Sequence, residues 1–296
     1  MSDSNSDTAR RAHPAVSRLS LGLETRALLE RHGLAALKSM GQNFLTDRGV
    51  LDKILAAAAV EPEDTVVEVG PGLGVLTRAL AERAGRVIAV ELDRGMAALL
   101  RANFDGVPNV AIVEGDILKA DIEALAGGAP YMVVANLPYY ITSPALRHFL
   151  ENPHPPGKLV VMVQKEVAQQ ITARPPEMSL LSVAVQFFGV PKLVSRVPAG
   201  AFYPPPRVDS ALLRIDVLPV RRLCLEETAG FFKVARAGFA TRRKQLVNAL
   251  AGGLGIGKTE AAACLAAAGV DPSRRAETLS VDDWVALYRA CRSAGA

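Results

Sequence analysis

The segment Asn136-Leu137-Pro138-Tyr139 combines residue types that can hold an aromatic amine. The amide oxygen of Asn136 and the backbone carbonyl of Leu137 can accept both hydrogens of an exocyclic amine such as adenine N6, and so direct the nitrogen lone pair at an incoming electrophile. Pro138 lies in the turn that carries Tyr139, whose ring can stack on the base. The alternative is a proline-containing turn at a strand end with a packed tyrosine.

A glycine-rich turn lies upstream, in Gly70-Pro71-Gly72-Leu73-Gly74 after the apolar run 65–69. Glycines let a ligand approach the backbone where a strand passes into a helix. A dinucleotide-binding fingerprint has its third glycine at the position of Val75, so the turn indicates a nucleotide-like ligand without specifying a dinucleotide. We assign Gly70 and Gly72 to cofactor binding.

Two carboxylates follow at the ends of the next two predicted strands. Glu91 lies 21 residues after Gly70, the spacing at which an acidic side chain accepts hydrogen bonds from both ribose hydroxyls. Asp116, in EGDIL, is placed to accept from an adenine amine. Either carboxylate alone is typical of a helix cap, but both at strand ends predict an adenine nucleoside without a pyrophosphate. S-adenosylmethionine fits this pattern better than NAD.

The elements that must position these residues follow a βαβ pattern, because short β-branched runs alternate with amphipathic segments. The predicted parallel strands are 65–69, 86–90, 110–113, 131–135 and 159–163. The chain should therefore form an α/β fold with a doubly wound, Rossmann-like sheet. Two further strands, at 180–188 and 210–217, are predicted to close the sheet with an antiparallel edge.

The segments flanking the sheet are helical in pattern. The periodicity of 24–38 predicts an amphipathic helix before the sheet, and only helical patterns occur from residue 219 onwards. The last helix should begin with a capping box of Ser280 and Asp283. We divide the chain into a disordered tail at 1–22, a cofactor-binding domain at 23–218 and a small all-helical domain at 219–296.

The composition excludes several classes of protein. The 296 residues are 50% hydrophobic and 22% charged, which suits a globular protein, and no apolar run approaches the roughly 20 residues of a membrane span. The three cysteines lack CxxC spacing, so the sequence predicts neither a disulfide framework nor a metal site and favours the cytoplasm. We expect a monomer without membrane association, because the sequence shows neither a coiled coil nor a large apolar stripe.

Positive charge is concentrated in the C-terminal third, where residues 204–296 carry 14 Lys and Arg against 9 Asp and Glu. Such an excess suits a phosphate-rich partner. We interpret RRKQLVNAL, at 242–250, as a basic amphipathic helix. The candidate contacts to RNA phosphates are Arg207, Arg221, Arg222, Arg236, Arg242, Arg243 and Lys244. A solvated surface charge is the alternative for each of them.

Residues 252–259, GGLGIGKT, match the phosphate-loop pattern GxxxxGK[ST] in full. That loop must follow a buried strand, whereas the residues before it have a helical pattern. No later apolar strand ends in an aspartate that would hold magnesium. We interpret the segment as a glycine-rich connection between two helices.

These motifs together resemble those of the small-subunit (16S) rRNA adenine N6,N6-dimethyltransferases, relatives of the erythromycin-resistance rRNA methylases, over nearly the whole chain after the tail. The matching stretches are KSMGQNFL (38–45), EVGPGLGVLT (68–77), VELD (90–93), EGDIL (114–118), NLPYY (136–140), VQKEVAQQI (163–171), FYPPPRVDSALL (202–213), RRKQLVNAL (242–250) and DPSRRAETLS (271–280). The resemblance implies a class I S-adenosylmethionine-dependent methyltransferase sheet with a small helical C-terminal domain.

The resemblance also implies roles for individual residues. Asn43 and the Leu45 backbone should help to hold S-adenosylmethionine from the N-terminal side. Phe202, in the proline-rich loop, should stack on the target adenine opposite Tyr139. Met40 stands where the family usually has leucine, a change that conserves volume.

The implied substrate is a pair of neighbouring adenosines in the 3′-terminal hairpin of small-subunit rRNA, each methylated twice within a partly assembled 30S subunit. Two alternatives stay open. One is an adenine methylase of large-subunit rRNA or DNA, and the other is a non-catalytic assembly factor that binds the small subunit.

Overall fold

The computed structural model describes residues 43–241 and 243–293. The predicted tail at 1–22, the predicted helix at 24–38, Met40 and Arg242 lie outside the described residues. The strands are β1 (Phe44–Leu45), β2 (Thr65–Val69), β3 (Arg86–Glu91), β4 (Val110–Glu114), β5 (Tyr131–Asn136), β6 (Lys158–Gln164), β7 (Gly189–Val197), β8 (Phe202–Tyr203) and β9 (Ser210–Val217). The α-helices are α1 (Arg48–Ala58), α2 (Val75–Ala81), α3 (Arg94–Asn103), α4 (Ile122–Ala126), α5 (Thr142–Leu150), α6 (Lys165–Thr172), α7 (Leu180–Phe188), α8 (Leu225–Phe239), α9 (Leu246–Leu254), α10 (Lys258–Ala267) and α11 (Val281–Ser293).

Seven strands form one sheet in the order β4-β3-β2-β5-β6-β9-β7. The first five strands in this order, from β4 to β6, are parallel to one another. Strand β9 pairs antiparallel with both β6 and β7. The predicted α/β class and all five predicted parallel strands are confirmed, as is the antiparallel strand at 210–217. After β4 the chain returns to the other side of β2, so the strand order reverses between β2 and β5. Such a reversal opens a crevice at the carboxyl ends of the strands.

Both faces of the sheet are covered, which explains the continuous apolar runs of its parallel strands. On one face Val67 and Ile88 pack with α4 and α5. On the other face Val66 and Val87 pack with α1 and α2. Because successive residues of a strand point to opposite faces, the residues of a strand between two helical layers are mainly apolar on both faces.

The prediction of a strand at 180–188 is wrong, because these residues form helix α7. Ser179 caps the helix by accepting from the Ser182 backbone amide at 3.1 Å, and the Ser182 hydroxyl accepts in return from the Ser179 amide. The helix is buried, with Phe187 stacked on Phe231 of α8 at 4.1 Å between ring centroids. A short apolar run has no periodicity that separates a buried helix from a buried strand. The antiparallel edge strand is β7 instead, beginning at Gly189.

The C-terminal helices pack against the sheet domain through one continuous apolar cluster that contains Val67, Phe231 and Trp284. Trp284, on α11, is fully buried. The predicted capping box is confirmed: the Ser280 hydroxyl accepts from the Asp283 amide at 3.1 Å, and the Asp283 carboxylate accepts from the Ser280 amide at 3.0 Å. The division of the chain at residue 218 stays a prediction. Within the described residues, no helix is both long and apolar enough to span a bilayer.

The GxxxxGK[ST] segment connects two helices, as predicted. Gly252 and Gly253 belong to α9, and Gly255 ends that helix with a left-handed φ of 73°. Lys258 then begins α10. A phosphate loop connects a strand to a helix. This segment connects two helices, so it is not a phosphate loop.

Candidate active site

A cavity of about 250 Å³ lies at the carboxyl ends of β2, β3, β4 and β5. It spans the point where the strand order reverses, which is where open α/β sheets bind their ligands. The predicted site residues that line it are Asn43, Leu45, Gly70, Gly72, Glu91, Asp116, Asn136, Leu137, Pro138 and Tyr139. The fold therefore brings together side chains that lie up to 96 residues apart in the sequence.

The glycine turn forms one wall of the cavity. Gly70, Gly72 and Gly74 all have left-handed φ values, of 64°, 56° and 80°. A Cβ atom on Gly72 would lie 3.1 Å from the ring of Phe44, so a side chain there would press against that ring as well as strain the left-handed backbone. The turn thus holds its backbone close to the cavity just before α2 begins at Val75.

Glu91, the last residue of β3, is buried and held by two backbone amides. Its Oε1 accepts from the Asp93 amide at 2.9 Å, and its Oε2 accepts from the Gly72 amide at 3.4 Å. Burial raises the pKa of Glu91, while these two hydrogen bonds lower it. The carboxylate is thereby fixed beside the glycine turn and keeps lone pairs for a ligand.

Asp116 lies two residues beyond the end of β4, rather than at its last residue as predicted. Its Oδ1 accepts from the Leu118 amide at 3.0 Å and caps a single 3-10 turn, and its Oδ2 lies 3.9 Å from Lys119. The side chain therefore serves as the cap that we named as the alternative. It also lines the cavity.

Asn136 ends β5 with its amide oriented by a hydrogen bond. Its Nδ2 donates to the backbone carbonyl of Asn43 at 3.0 Å, so the Oδ1 atom remains available as an acceptor. The Leu137 amide donates to the Met162 carbonyl at 3.2 Å, which ties this turn to β6. The two predicted acceptors, the Asn136 amide and the Leu137 carbonyl, belong to adjacent residues at the cavity wall.

Tyr139 is held by its hydroxyl, which is hydrogen-bonded to Ser210 Oγ at 2.7 Å. Burial raises the pKa of Tyr139, so the phenol stays neutral and keeps this bond. Ser210 is the first residue of β9 and is itself buried. The sequence analysis missed Ser210, because only the folded chain brings position 210 next to position 139.

Asn43 and Leu45 line the cavity from the N-terminal side. Leu45 lies opposite Phe202 in the two-stranded pairing of β1 with β8. The Thr46 amide donates to the Ala201 carbonyl at 2.9 Å and continues this pairing. The N-terminal segment is therefore attached to the proline-rich loop as well as to Asn136.

The resemblance assigned Phe202 to the target adenine, and the described structure has its side chain in the core. Its side chain is only 4% exposed and packs in the apolar cluster of Leu45, Val50 and Leu212. It is not among the residues that line the cavity. The pairing of β8 with β1 turns Phe202 into the core, although it sits beside prolines that suggested an exposed loop.

Glu68 is a cavity residue that the sequence analysis did not single out. It is 2% exposed on β2, and its Oε2 makes no hydrogen bond with any described residue. Burial raises the pKa of Glu68 to about 8, and repulsion from Glu91 adds to the rise. A single glutamate inside the otherwise apolar run TVVEV was the signal that could have identified it.

The described lining contains four acidic residues, Glu68, Glu91, Asp93 and Asp116, and neither Lys nor Arg. Such a lining disfavours the phosphates of a dinucleotide and favours a cation. S-adenosylmethionine carries a sulfonium and an ammonium group together with ribose hydroxyls that donate hydrogen bonds. The Oε2 of Glu68, buried without a partner, supplies the kind of acceptor that such donors require.

The predicted RNA contacts are divided by the structure into three groups. Arg207 is exposed in the loop before Ser210, and Arg236, Arg243 and Lys244 are exposed near the end of α8. Arg243 and Lys244 lie in the turn before α9, not on a basic helix as predicted, because that helix begins only at Leu246.

Arg221 and Arg222 have structural partners instead of a free surface. Arg221 donates from Nη2 to the carbonyls of Asn152 and Pro153, at 2.6 and 3.1 Å. Arg222 forms an ion pair with Asp282 on α11. The two guanidinium groups thus connect the linker after β9 to the loop after α5 and to helix α11.

Arg221→Met should lower the free energy of unfolding by about 1–3 kcal/mol, because two backbone carbonyls lose their charged donor. Urea denaturation followed by circular dichroism measures this change. Arg207→Met is the matched control, since Arg207 has no partner among the described residues and should leave the stability unchanged. Equal stability of both variants, with weaker RNA binding by Arg221→Met, would contradict the structural role.

The chain matches the family model of ribosomal RNA adenine dimethylase over residues 34–292. The chain belongs to the ribosomal RNA adenine dimethylase family. It is 53% identical over 269 residues to the ribosomal RNA small subunit methyltransferase A of Dehalococcoides mccartyi, covering 90% of this chain and 92% of that protein. The corresponding protein of Pelotomaculum thermopropionicum is 45% identical over 91% of this chain and 96% of its own length.

Two solved structures have the same fold as this chain. A dimethyladenosine transferase from Plasmodium falciparum superimposes with a TM-score of 0.74 and 25% identity, over 85% of this chain and 98% of that chain. The 23S rRNA methyltransferase ErmE superimposes with a TM-score of 0.67 and 29% identity, over 84% and 100%. As a family member, this chain is an enzyme that transfers methyl groups from S-adenosylmethionine to adenine in ribosomal RNA.

Proposed function

We propose that this dimethylase converts two adjacent adenosines in the 3′-terminal hairpin of small-subunit rRNA to N6,N6-dimethyladenosine, within a partly assembled 30S subunit. The observation that carries the proposal is the 53% identity to a small subunit methyltransferase A over 90% of the chain. The acceptor pair at Asn136 and Leu137 supports adenine N6 as the methylated atom.

One group of residues around the cavity binds the cofactor, and another positions the target amine. Gly70, Gly72, Glu91 and Asp116, with Asn43 and Leu45 from the N-terminal side, hold S-adenosylmethionine. Glu91 accepts from the ribose, Asp116 accepts from the adenine amine, and the two glycines leave room beside the backbone. When bound, S-adenosylmethionine supplies an electrophilic methyl group.

The target amine is held at the opposite side of the cavity. Asn136 Oδ1 and the Leu137 carbonyl accept its two hydrogens, so that the nitrogen lone pair points into the cavity. Tyr139 stacks on the base while its hydroxyl is anchored to Ser210. Positioning of this kind supplies about 7–11 kcal/mol of the barrier reduction in well-oriented reactions. The product ammonium releases its proton to solvent, so the site requires no strong base.

Two successive transfers to one nitrogen require that the first methyl group fits beside Asn136. After the first transfer only one N6 hydrogen is left to donate, and it pairs with one of the two acceptors. The cofactor must also exchange between the transfers.

The exposed cations near the end of α8 hold the RNA phosphates, in support of the proposed substrate. Arg243→Gln combined with Lys244→Gln should weaken binding to unmethylated small subunits and lower the slope of log K against log salt by about one per lost phosphate contact. Filter binding from 50 to 300 mM salt measures the slope. Lys53→Gln on α1 removes an equivalent exposed charge and should leave the slope unchanged. An unchanged slope in the double variant would show that these cations do not contact the RNA.

The proposed function is tested by methyl transfer from labelled S-adenosylmethionine to unmethylated small subunits, followed by nucleoside analysis. N6,N6-dimethyladenosine at two adjacent positions of the 3′-terminal hairpin is the expected result. Label only on large-subunit RNA would instead support the activity of its structural relative ErmE, a 23S rRNA methyltransferase. Tight subunit binding without any transfer would indicate an assembly factor.

We also propose that the protein acts as a monomer in the cytoplasm. Its three cysteines are free, as a reducing compartment requires. Its exposed large apolar side chains are distributed over five separate segments of the described chain. Sedimentation of the purified protein measures the oligomeric state.

A further inference from the structure

Tyr140 is the aromatic side chain that the fold leaves in water. The chain has nine Phe, five Tyr and one Trp, and all of them lie within the described ranges. Tyr140 alone among them is exposed, at 62%. Single exposed apolar side chains are common on protein surfaces, so the position of this ring, and not its exposure alone, has to indicate its use.

The backbone under Tyr140 is fixed although its ring is free. Tyr140 is the middle residue of the 3-10 turn Tyr139–Ile141, between β5 and α5. The Ile141 amide donates to the Pro138 carbonyl at 3.1 Å. The hydroxyl of Tyr139, one residue earlier, is anchored to Ser210. The ring of Tyr140 is therefore presented on a rigid support and stacks on none of the chain's other aromatic rings.

The ring also lies at the target end of the cavity. Tyr140 lines the cavity and directly follows the Asn136–Tyr139 segment that holds the target amine. The other strongly exposed apolar side chain of the lining is Leu92. It directly follows Glu91, the last residue of β3 and the proposed partner of the cofactor's ribose. Chain position thus assigns Leu92 to the cofactor side and Tyr140 to the side where the RNA enters.

We infer that Tyr140 is a stacking platform for the nucleobase next to the target adenosine. This inference rests on the proposed function, since it concerns the RNA at the same site. A base whose neighbour has been drawn into a cavity loses its stacking partner, and an exposed aromatic ring replaces that partner. Arg207 is exposed in the loop that leads to Ser210, the partner of the Tyr139 hydroxyl, and its charge suits the phosphate between the two nucleotides.

The inference makes Tyr140 a specificity-determining residue. A duplex, in which the neighbouring base stays paired and stacked, cannot use the platform. Two adjacent unpaired adenosines can exchange places, so that each in turn occupies the cavity while the other stacks on Tyr140. The platform thereby links the recognition of the pair to the methylation of each member.

The test combines a protein variant with a matching change in the RNA. Small subunits are reconstituted with rRNA that lacks the base on the 5′ or the 3′ side of one target adenosine, and the single-turnover kcat/KM for that adenosine is measured. We expect Tyr140→Ala to lose about tenfold to a hundredfold on intact RNA, the range that one base–aromatic stack gives. Wild-type protein should lose the same factor on one of the two abasic substrates, and Tyr140→Ala should lose nothing further there. Tyr140→Phe should keep the ring and its effect.

Three results would overturn the inference. Additive losses for both abasic substrates would mean that the ring and the neighbouring base do not interact. An equal loss in the control Val190→Ala, which removes an exposed apolar side chain of β7, would mean a nonspecific effect. Weaker binding of S-adenosylhomocysteine by Tyr140→Ala, equal to its loss of activity, would place the ring on the cofactor. Absence of any transfer by the wild-type protein would instead contradict the proposed function.

Discussion

Asn136→Ala should reduce methyl transfer by about a hundredfold to a thousandfold or more, the scale at which removal of one positioned hydrogen-bonding group lowers turnover. Asn136 Oδ1 is one of only two acceptors for the target amine. Without it the nitrogen is free to rotate, and its lone pair is no longer held toward the methyl group. The loss should appear in kcat rather than in the affinity for small subunits, because the phosphate contacts are untouched.

The same substitution should weaken S-adenosylmethionine binding only severalfold. Asn136 Nδ2 donates to the Asn43 carbonyl, so alanine releases one of the contacts that hold the N-terminal segment over the cavity. The remaining contacts are the pairing of β1 with β8 and the bond from the Thr46 amide to Ala201. Isothermal titration with S-adenosylhomocysteine separates this effect from the loss of transfer.

Asn136→Asp is the variant that distinguishes the two roles of the side chain. Aspartate keeps an acceptor at the Oδ1 position but cannot donate to the Asn43 carbonyl. If the acceptor dominates, Asp should retain more transfer than Ala while both weaken cofactor binding. Unchanged transfer in Asn136→Ala would contradict the assignment of the target site.

The sheet and the cofactor site could be predicted because each depends on local pattern. A parallel strand covered on both faces is mainly apolar, so five strands were visible as β-branched runs. The carboxyl ends of parallel strands meet at one edge, which makes residues distant in sequence, such as Gly70, Glu91 and Asn136, neighbours in the fold.

The remaining details depend on partners that no local pattern specifies. Leu180–Phe188 is a helix because a Ser–Ser capping box and the ring of Phe231 act on it, and neither is evident from its own apolar run. Phe202 is buried because β8 pairs with a strand more than 150 residues earlier. Arg221 has a structural role because its guanidinium donates hydrogen bonds to backbone carbonyls just after α5. Long-range contacts decided each of these cases.

Glu68→Gln should stabilise the protein increasingly as the pH rises from about 5 to about 8. Burial and the neighbouring Glu91 raise the pKa of Glu68 from 4.5 to about 8 in the folded state. Below pH 4.5 the carboxyl is protonated in both the folded and the unfolded state and does not affect stability. Between these values the unfolded chain loses the proton and the folded chain keeps it, so wild-type stability falls as the pH rises.

At pH 8 the accumulated difference should reach a few kcal/mol, since each pKa unit corresponds to about 1.4 kcal/mol. Glutamine has nearly the same shape and no proton to lose, so the variant should avoid this loss. Calorimetric unfolding at pH 5, 6.5 and 8 measures the difference, with Glu63→Gln as a control at an exposed site. A difference that is constant across this range would show that Glu68 is already ionised in the folded protein. The cavity would then hold a permanent negative charge beside Glu91, in addition to the acidic side chains of Asp93 and Asp116 that also line it.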